Sequence, residues 1–265
     1  MNESMQDKVV IVAGGSVGIG LAVAELFAKA GSNVVIAARG VERGRAAEKK
    51  IKDSGGKAFF VQTDVSKAEQ VQDLVGWTVE TFGRLDYAVN NAAVGGRIAR
   101  MGEHTEADFD AEVTSNLKSV WLCMKYELEQ MEKQYPVGGA IVNTSSVNGL
   151  GGAAMAGLYS MSKSGILALT KSAAQEYAAK KIRINALVAG GFDTELLRGA
   201  VSRMVDGDEE RIQKTFDGFA AQVPAGRIGE PSEAAEAVFW LCSNAASYVT
   251  GHSMIVDGGL TAWAR

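Results

Sequence analysis

Short apolar runs rich in β-branched residues alternate along this chain with longer stretches whose apolar positions recur every three to four residues. The runs Lys8–Ala13, Asn33–Ala38, Ala58–Gln62, Leu85–Asn90, Gly139–Ser145, Arg183–Val188 and Ser253–Val256 read as strands. Between them the spacing predicts helices over Gly18–Ala30, Val41–Ser54, Ser66 to Phe82, Glu106 to Gln134 and Tyr159 to Ala179. Ser66 with Glu69 three residues on has the sequence of a capping box. Pro231 suits the first position of a further helix, where a missing N–H costs nothing. Residues 190–225 are less regular and predict a lid of short helices.

Strands alternating with helices imply a parallel sheet covered on both faces. The chain shows no composition break, repeat or linker, so it reads as one α/β domain over residues 1–265. The fold class is a doubly wound parallel sheet of about seven strands. Ligands of such sheets sit at the carboxyl ends of the strands, so the loops after the strands are where chemistry is expected.

Composition narrows the function. Net charge is −4, which lacks the basic footprint of a nucleic-acid binder. No apolar run approaches the roughly 20 residues that span a bilayer, and the polar start Met1–Lys8 lacks a secretory signal. The two cysteines, Cys123 and Cys242, and the two histidines, His104 and His252, are scattered. That pattern argues against a disulfide framework or a zinc site and for a reducing, cytoplasmic setting.

The first strand runs into Ala13-Gly14-Gly15-Ser16-Val17-Gly18-Ile19-Gly20, and a helix follows. Glycines at 14, 18 and 20 allow a tight turn and close backbone approach, and the helix N-terminus offers N–H groups to a pyrophosphate. The same letters fit G-x-S-x-G, the nucleophile elbow of serine hydrolases. That reading needs an oxyanion loop before the motif and a histidine after it, and His252 is the only late histidine.

NAD-binding folds usually place Asp or Glu at the tip of the second strand, to hold the ribose 2′-hydroxyl. Here that strand ends Ala37-Ala38-Arg39. Arg39 suits a 2′-phosphate instead, with Arg43 one turn further on as a helper. The expected cofactor is therefore NADP(H), with NAD(H) as the alternative.

Tyr159 and Lys163 lie four apart on one face of the long helix. A neighbouring cation lowers an acid's pKa by about 1–3 units, which would bring a phenol into range for proton transfer. Ser146, thirteen residues before Tyr159, ends the fifth strand, where its hydroxyl could hold a substrate oxygen.

These motifs in this order resemble the classical short-chain dehydrogenase/reductase family over nearly the whole chain. The set is the AGGSVGIG loop, Asp64, Asn90-Asn91-Ala92, Asn116, Ser146, YSMSK, Asn185 and Val256-Asp257-Gly258-Gly259. The resemblance implies a Rossmann-type fold and a homotetramer acting on a small carbonyl or alcohol. It implies Tyr159 as acid/base, Lys163 as ribose ligand and modulator of the phenol, Ser146 as carbonyl ligand, and Asn116 as holder of a relay water. Gly14, Ser16, Gly18, Ile19 and Gly20 would line the pyrophosphate, and Asp64 with Val65 the adenine. Asn90 would meet the adenosine ribose or neighbouring strands, and Val188 and Thr194 would flank the nicotinamide. Three departures stand out: Ala13 for Thr, Ala93 for Gly, and Ala189 for Pro, the last expected to loosen the entrance to the lid. A non-catalytic NADP(H) sensor on the same fold is the rival reading, against which the complete Asn116, Ser146, Tyr159, Lys163 set argues.

Overall fold

The structure is a computed structural model, and it describes residues 5–205 and 207–262. Seven strands form one sheet: β1 (Val9–Ala13), β2 (Asn33–Ala38), β3 (Lys57–Gln62), β4 (Tyr87–Asn90), β5 (Gly139–Ser146), β6 (Ile182–Ala189) and β7 (Ser253–Val256). Their order is β3-β2-β1-β4-β5-β6-β7, and every neighbouring pair is parallel. The order reverses between β1 and β4, so the crevice at their carboxyl ends is the topological switch point.

The helices are α1 (Gly18–Lys29), α2 (Val41–Asp53), α3 (Ala68–Phe82), α4 (Glu106–Glu112), α5 (Ser119–Lys133), α6 (Asn148–Gly151), α7 (Gly157–Tyr177), α8 (Glu195–Met204), α9 (Glu209–Gln222) and α10 (Pro231–Cys242). Strand residues alternate between two apolar layers, as the period of two requires. Val10, Val12, Val34 and Ile36 pack on one side with Phe27 of α1 and Val238 and Phe239 of α10. Ile11, Val35 and Ile141 pack on the other with Leu74 of α3, Leu128 of α5 and Ile166 of α7. Burying about 25 cal/mol per Å² on both faces is what selects apolar residues at nearly every strand position. Among the described residues no helix is long and apolar enough to cross a membrane.

Two local expectations fail for physical reasons. The Ser66 capping box does not form: α3 begins at Ala68 behind an uncapped Lys67, because the Ser66 hydroxyl donates to Asp64 Oδ1 at 2.7 Å. The single helix expected from Glu106 to Gln134 is broken by a π-turn over Val113–Lys118. Such one-residue expansions re-aim a side chain, and here the re-aimed residue is the fully buried Asn116.

Candidate active site

The sheet register sets the geometry. Ala13, Asn90, Asn143, Ala186 and Ser253 form one row across five strands. Everything just beyond that row (the glycine loop, the segment after Asn90, Ser146 and the segment after Ala189) lies on the same edge of the sheet. His252, before β7, is four strand spacings from β1, about 19 Å. It cannot serve Ser16, and the serine-hydrolase reading falls on that distance.

The glycine loop is a hollow lined by backbone. A Cβ on Gly14 would lie 2.7 Å from Ala92 Cα, and one on Gly20 would collide with the Gly14 carbonyl. Gly14 and Gly18 have φ of 75° and 56°, which favours glycine. Val17 caps α1 with no side-chain hydrogen bond, so no side chain blocks the first N–H groups of the helix. These are the features that a pyrophosphate requires. Thr194 faces Gly18 across the mouth, its methyl 3.2 Å from where a Cβ would stand, while its hydroxyl caps α8 by accepting from Leu197 N–H at 3.3 Å. Ser16 is half-buried in the loop, whereas Ile19 packs against the core.

At the tip of β2, Arg39 is exposed and no carboxylate stands in its place. Its guanidinium and the Lys67 ammonium help hold the Asp64 carboxyl below its ordinary range. Burial pushes that carboxyl up, but the Ser66 hydroxyl and N–H together with these charges outweigh it. Arg43 is not free to help: it pairs with Glu195 of α8 at 2.8 Å. Val65 packs with Ala13 and Val71 beneath this corner.

Tyr159, Ser146 and Lys163 come together. The Tyr159 phenol faces the Ser146 hydroxyl, and Ser146 Oγ accepts from Asn148 N–H at 3.2 Å. Ser145 fixes the strand to the helix by donating to the Lys163 carbonyl at 2.8 Å, and Ser164 donates to the Gly149 carbonyl at 2.7 Å. The strand end and the first two turns of α7 are thus bolted to each other before any ligand arrives.

The expected pull of Lys163 on the phenol is not seen in the chain by itself. Lys163 is buried and donates to the Thr144 carbonyl at 3.0 Å, with Nζ 5.6 Å from the Tyr159 ring centroid. The ammonium lies over the face of the ring. Burial pushes the Tyr159 phenol up to about 12; the Ser146 hydrogen bond opposes this, and Glu112 adds to it. Burial also brings the Lys163 ammonium down to about 8, against the opposing pull of Glu112.

Asn116 is placed with this set, but its carboxamide is already engaged. It accepts from Val94 N–H at 2.8 Å and donates to the Val94 carbonyl at 3.0 Å and to Glu112 at 2.5 Å. Asn90 is buried and donates to Glu127 and to Asn143 of β5 at 2.9 and 3.0 Å. Val188 is buried against Leu167 of α7. Ala189 does not loosen the lid, since its carbonyl accepts from Val147 N–H and the next amide, Gly190 N–H, donates to Val256.

The sequence reading missed two groups. The Thr144 carbonyl, which seats Lys163, carries no side-chain signal. Glu112 had one: it falls one helical turn before Asn116 and is buried, accepting from both Asn116 and Ser162. In the lid, Phe192, Val201 and Val205 turn into the protein while Leu196 and Met204 stay exposed.

Residues 13–261 match a family described as enoyl-(acyl carrier protein) reductase. A 2,5-dichloro-2,5-cyclohexadiene-1,4-diol dehydrogenase of Sphingobium indicum is 38% identical over 258 residues, 97% of this chain and 98% of the relative. The crystal structure of levodione reductase superposes with a TM-score of 0.93 at 32% identity, covering 98% of this chain and 99% of that one. The crystal structure of a single-substitution variant of actinorhodin polyketide ketoreductase with NADPH superposes at 0.89 and 32% identity, covering 97% and 98%. With the motifs, the sheet order and these full-length matches in agreement, this chain belongs to the classical short-chain dehydrogenase/reductase family.

Proposed function

We propose that the chain is an NADP(H)-dependent oxidoreductase that interconverts a ketone, or another carbonyl, and its alcohol, with Tyr159 as acid/base. The observation that carries this reading is the convergence of the Ser146 hydroxyl and the Tyr159 phenol at the carboxyl edge of the sheet, beside a buried Lys163. Two hydroxyls converging on one point are what a substrate oxygen needs, and their hydrogen bonds strengthen as that oxygen gains charge.

The nicotinamide cofactor, when bound, supplies or accepts the hydride. The glycine loop at Gly14, Ser16, Gly18, Ile19 and Gly20 would hold its pyrophosphate, Asp64 and Val65 its adenine, and Val188 and Thr194 its nicotinamide end. In reduction, Ser146 and Tyr159 donate hydrogen bonds to the carbonyl oxygen, and the Tyr159 proton passes to it as the alkoxide develops. Lys163, as an ammonium at neutral pH, favours the phenolate left behind. The Asn116 carboxamide is engaged by Val94 and Glu112, and Asn116 would hold the relay water that returns a proton towards Lys163. Oxidation of the alcohol runs each step in reverse.

The preference for NADP(H) rests on the exposed Arg39 and the lack of a carboxylate at the tip of β2. The chain reads as one catalytic domain, with residues 190–225 as a lid carrying α8 and α9. The substrate is a small carbonyl or alcohol compound. A homotetramer is supported by unpartnered apolar surface. A groove of about 440 Å³ lies between α5 and α7, lined by Leu117, Trp121 and Leu169. Trp240 of α10, Tyr248 and Ile255 of β7 are further exposed large apolar side chains.

Titration with NADPH and NADH, followed by reduced-nicotinamide fluorescence, tests the reading together with turnover on a ketone panel that includes ring ketones. NADPH binding at least about tenfold tighter, roughly 1.4 kcal/mol, with ketone reduction, is the expected result. Tighter NADH binding overturns the cofactor. Tight binding without turnover points to the sensor instead.

A further inference from the structure

Glu112 is a buried carboxylate at the back of the candidate active site. Its side chain leaves α4 at the last residue before the π-turn and reaches α7. There its Oε1 accepts from the Ser162 hydroxyl at 2.8 Å, one residue before Lys163, while also accepting from the Asn116 carboxamide at 2.5 Å. A Cβ on Gly96 would collide with its Oε2, so the segment after β4 closes over it by using glycine. The same Ser162 oxygen lies 2.8 Å from the Tyr159 carbonyl, so its single hydroxyl proton is shared between that carbonyl and Glu112. One oxygen atom therefore ties the π-turn to the helical turn that carries both Tyr159 and Lys163.

A buried carboxylate is expensive unless it is satisfied. At this position in a helix packed on another helix, an aliphatic residue would serve packing better. Charge at this depth acts on its neighbours with little screening. The two titratable groups that respond to it are Tyr159 and Lys163, both shifted upward by it. The other charged groups on the elements around it are otherwise placed. Arg97 pairs with Asp108, and Lys118 is exposed at the end of the π-turn. Glu106 and Asp110 on the same helix are exposed, as are Arg100 and Glu103 on the preceding loop. The His104 side chain is buried, with its Nδ1 3.9 Å from Asp108. Arg203 of α8 reaches the neighbouring Gly95.

We infer that Glu112 is a positioning residue of the active site: its buried carboxylate links Asn116 to the Tyr159–Lys163 turn through Ser162. The inference rests on the proposed role of Lys163 and deepens it. Glu112 touches no reacting atom. It acts by raising the fraction of Lys163 that is ammonium at neutral pH and by fixing where that ammonium sits.

The test follows Lys163 directly. In protein labelled with 13Cε-lysine, the Lys163 signal is assigned by its loss in Lys163→Ala. It is then titrated between about pH 6 and 10 in wild type, Glu112→Gln and Ser162→Ala. Glu112→Gln keeps an acceptor and removes the charge, so the Lys163 midpoint should fall by about one unit. Ser162→Ala removes the link and keeps the charge, so its midpoint should stay near wild type while turnover falls. Glu112→Thr, smaller and neutral, is the second variant in case Glu112→Gln does not fold, and the same downward shift is expected. An unmoved midpoint in a folded neutral variant overturns the inference and leaves Glu112 a packing residue. The titration needs no substrate: a wild type that fails to turn over any carbonyl refutes the proposed function, while the midpoint still decides Glu112.

Discussion

Lys163 Nζ lies 5.6 Å from the centre of the Tyr159 ring and is held there by the Thr144 carbonyl. The cation sits over the face of the ring, and burial rather than the cation sets the phenol's pKa in the chain alone. The hydroxyl is therefore protonated at neutral pH and faces Ser146, the state from which it can donate. Tyr159→Phe keeps the ring and its packing and removes only that proton. Ketone reduction should fall by about 10²–10⁴-fold, with NADPH affinity within about threefold of wild type by fluorescence titration. A fully active Tyr159→Phe would sink the assignment.

Arg39 and Arg43 separate in the structure although the sequence sets them side by side. Arg39 is exposed at the tip of β2, while Arg43 is engaged by Glu195 at 2.8 Å. Arg39→Ala should weaken NADPH binding by about tenfold or more, roughly 1.4 kcal/mol, and leave NADH nearly unchanged. Arg43→Ala should have the smaller effect of the two. Equal losses for both nucleotides in Arg39→Ala would remove the case for a 2′-phosphate site.

Gly14 carries two constraints at once: a φ of 75° and a backbone atom of Ala92 at 2.7 Å from any Cβ. Gly14→Ala should destabilise the fold by about 1–3 kcal/mol, read as a lowered midpoint in thermal unfolding. It should also weaken both nucleotides alike, because the loop backbone and not the 2′-phosphate corner is disturbed. A variant as stable as wild type would mean that the loop relaxes more easily than its contacts suggest.

How much of this was legible in the sequence depends on the range of the interaction. The strands and most helices follow from local periodicity, and Ser253–Val256 is found at the expected residues. The glycine loop and the Tyr159–Lys163 turn are also local, and both keep their expected places. Tertiary contacts decided the rest. Nothing near residue 116 announces a π-turn, because the Val94 backbone that captures the Asn116 carboxamide is 22 residues away. Ser66 looked like a helix cap until Asp64 competed for its hydroxyl. Glu112 resembled one more acidic residue on a helix rich in them, and only the fold brings Ser162, 50 residues away, to it.

Trp121 is 44% exposed on the groove between α5 and α7, an odd place for an indole unless something covers it. If a second copy does, Trp121→Glu should split the assembly, seen as a lower mass in sedimentation velocity with the far-UV spectrum unchanged. A wild-type protein that sediments as a monomer would end the tetramer proposal outright.

Glu127 offers a test of the core that is independent of catalysis. It is buried under β4 and β5, and burial pushes its carboxyl up to about 7, against the hydrogen bond from Asn90. The folded state therefore binds a proton more tightly than the unfolded chain, whose glutamate titrates near 4.5. Between those two values the folded protein holds more protons, so this group makes stability fall as pH rises, and above about 7 the full penalty is present. A shift of this size corresponds to about 3 kcal/mol. Glu127→Gln can still accept from Asn90 but has no charge to bury. Its thermal midpoint should exceed that of wild type at pH 8, and the difference should shrink towards pH 5 as the wild-type carboxyl becomes protonated. A gain that is the same at both pH values would assign the effect to packing, and a loss at pH 8 would show that the Asn90–Glu127 bond stabilises the ionised form more than burial opposes it.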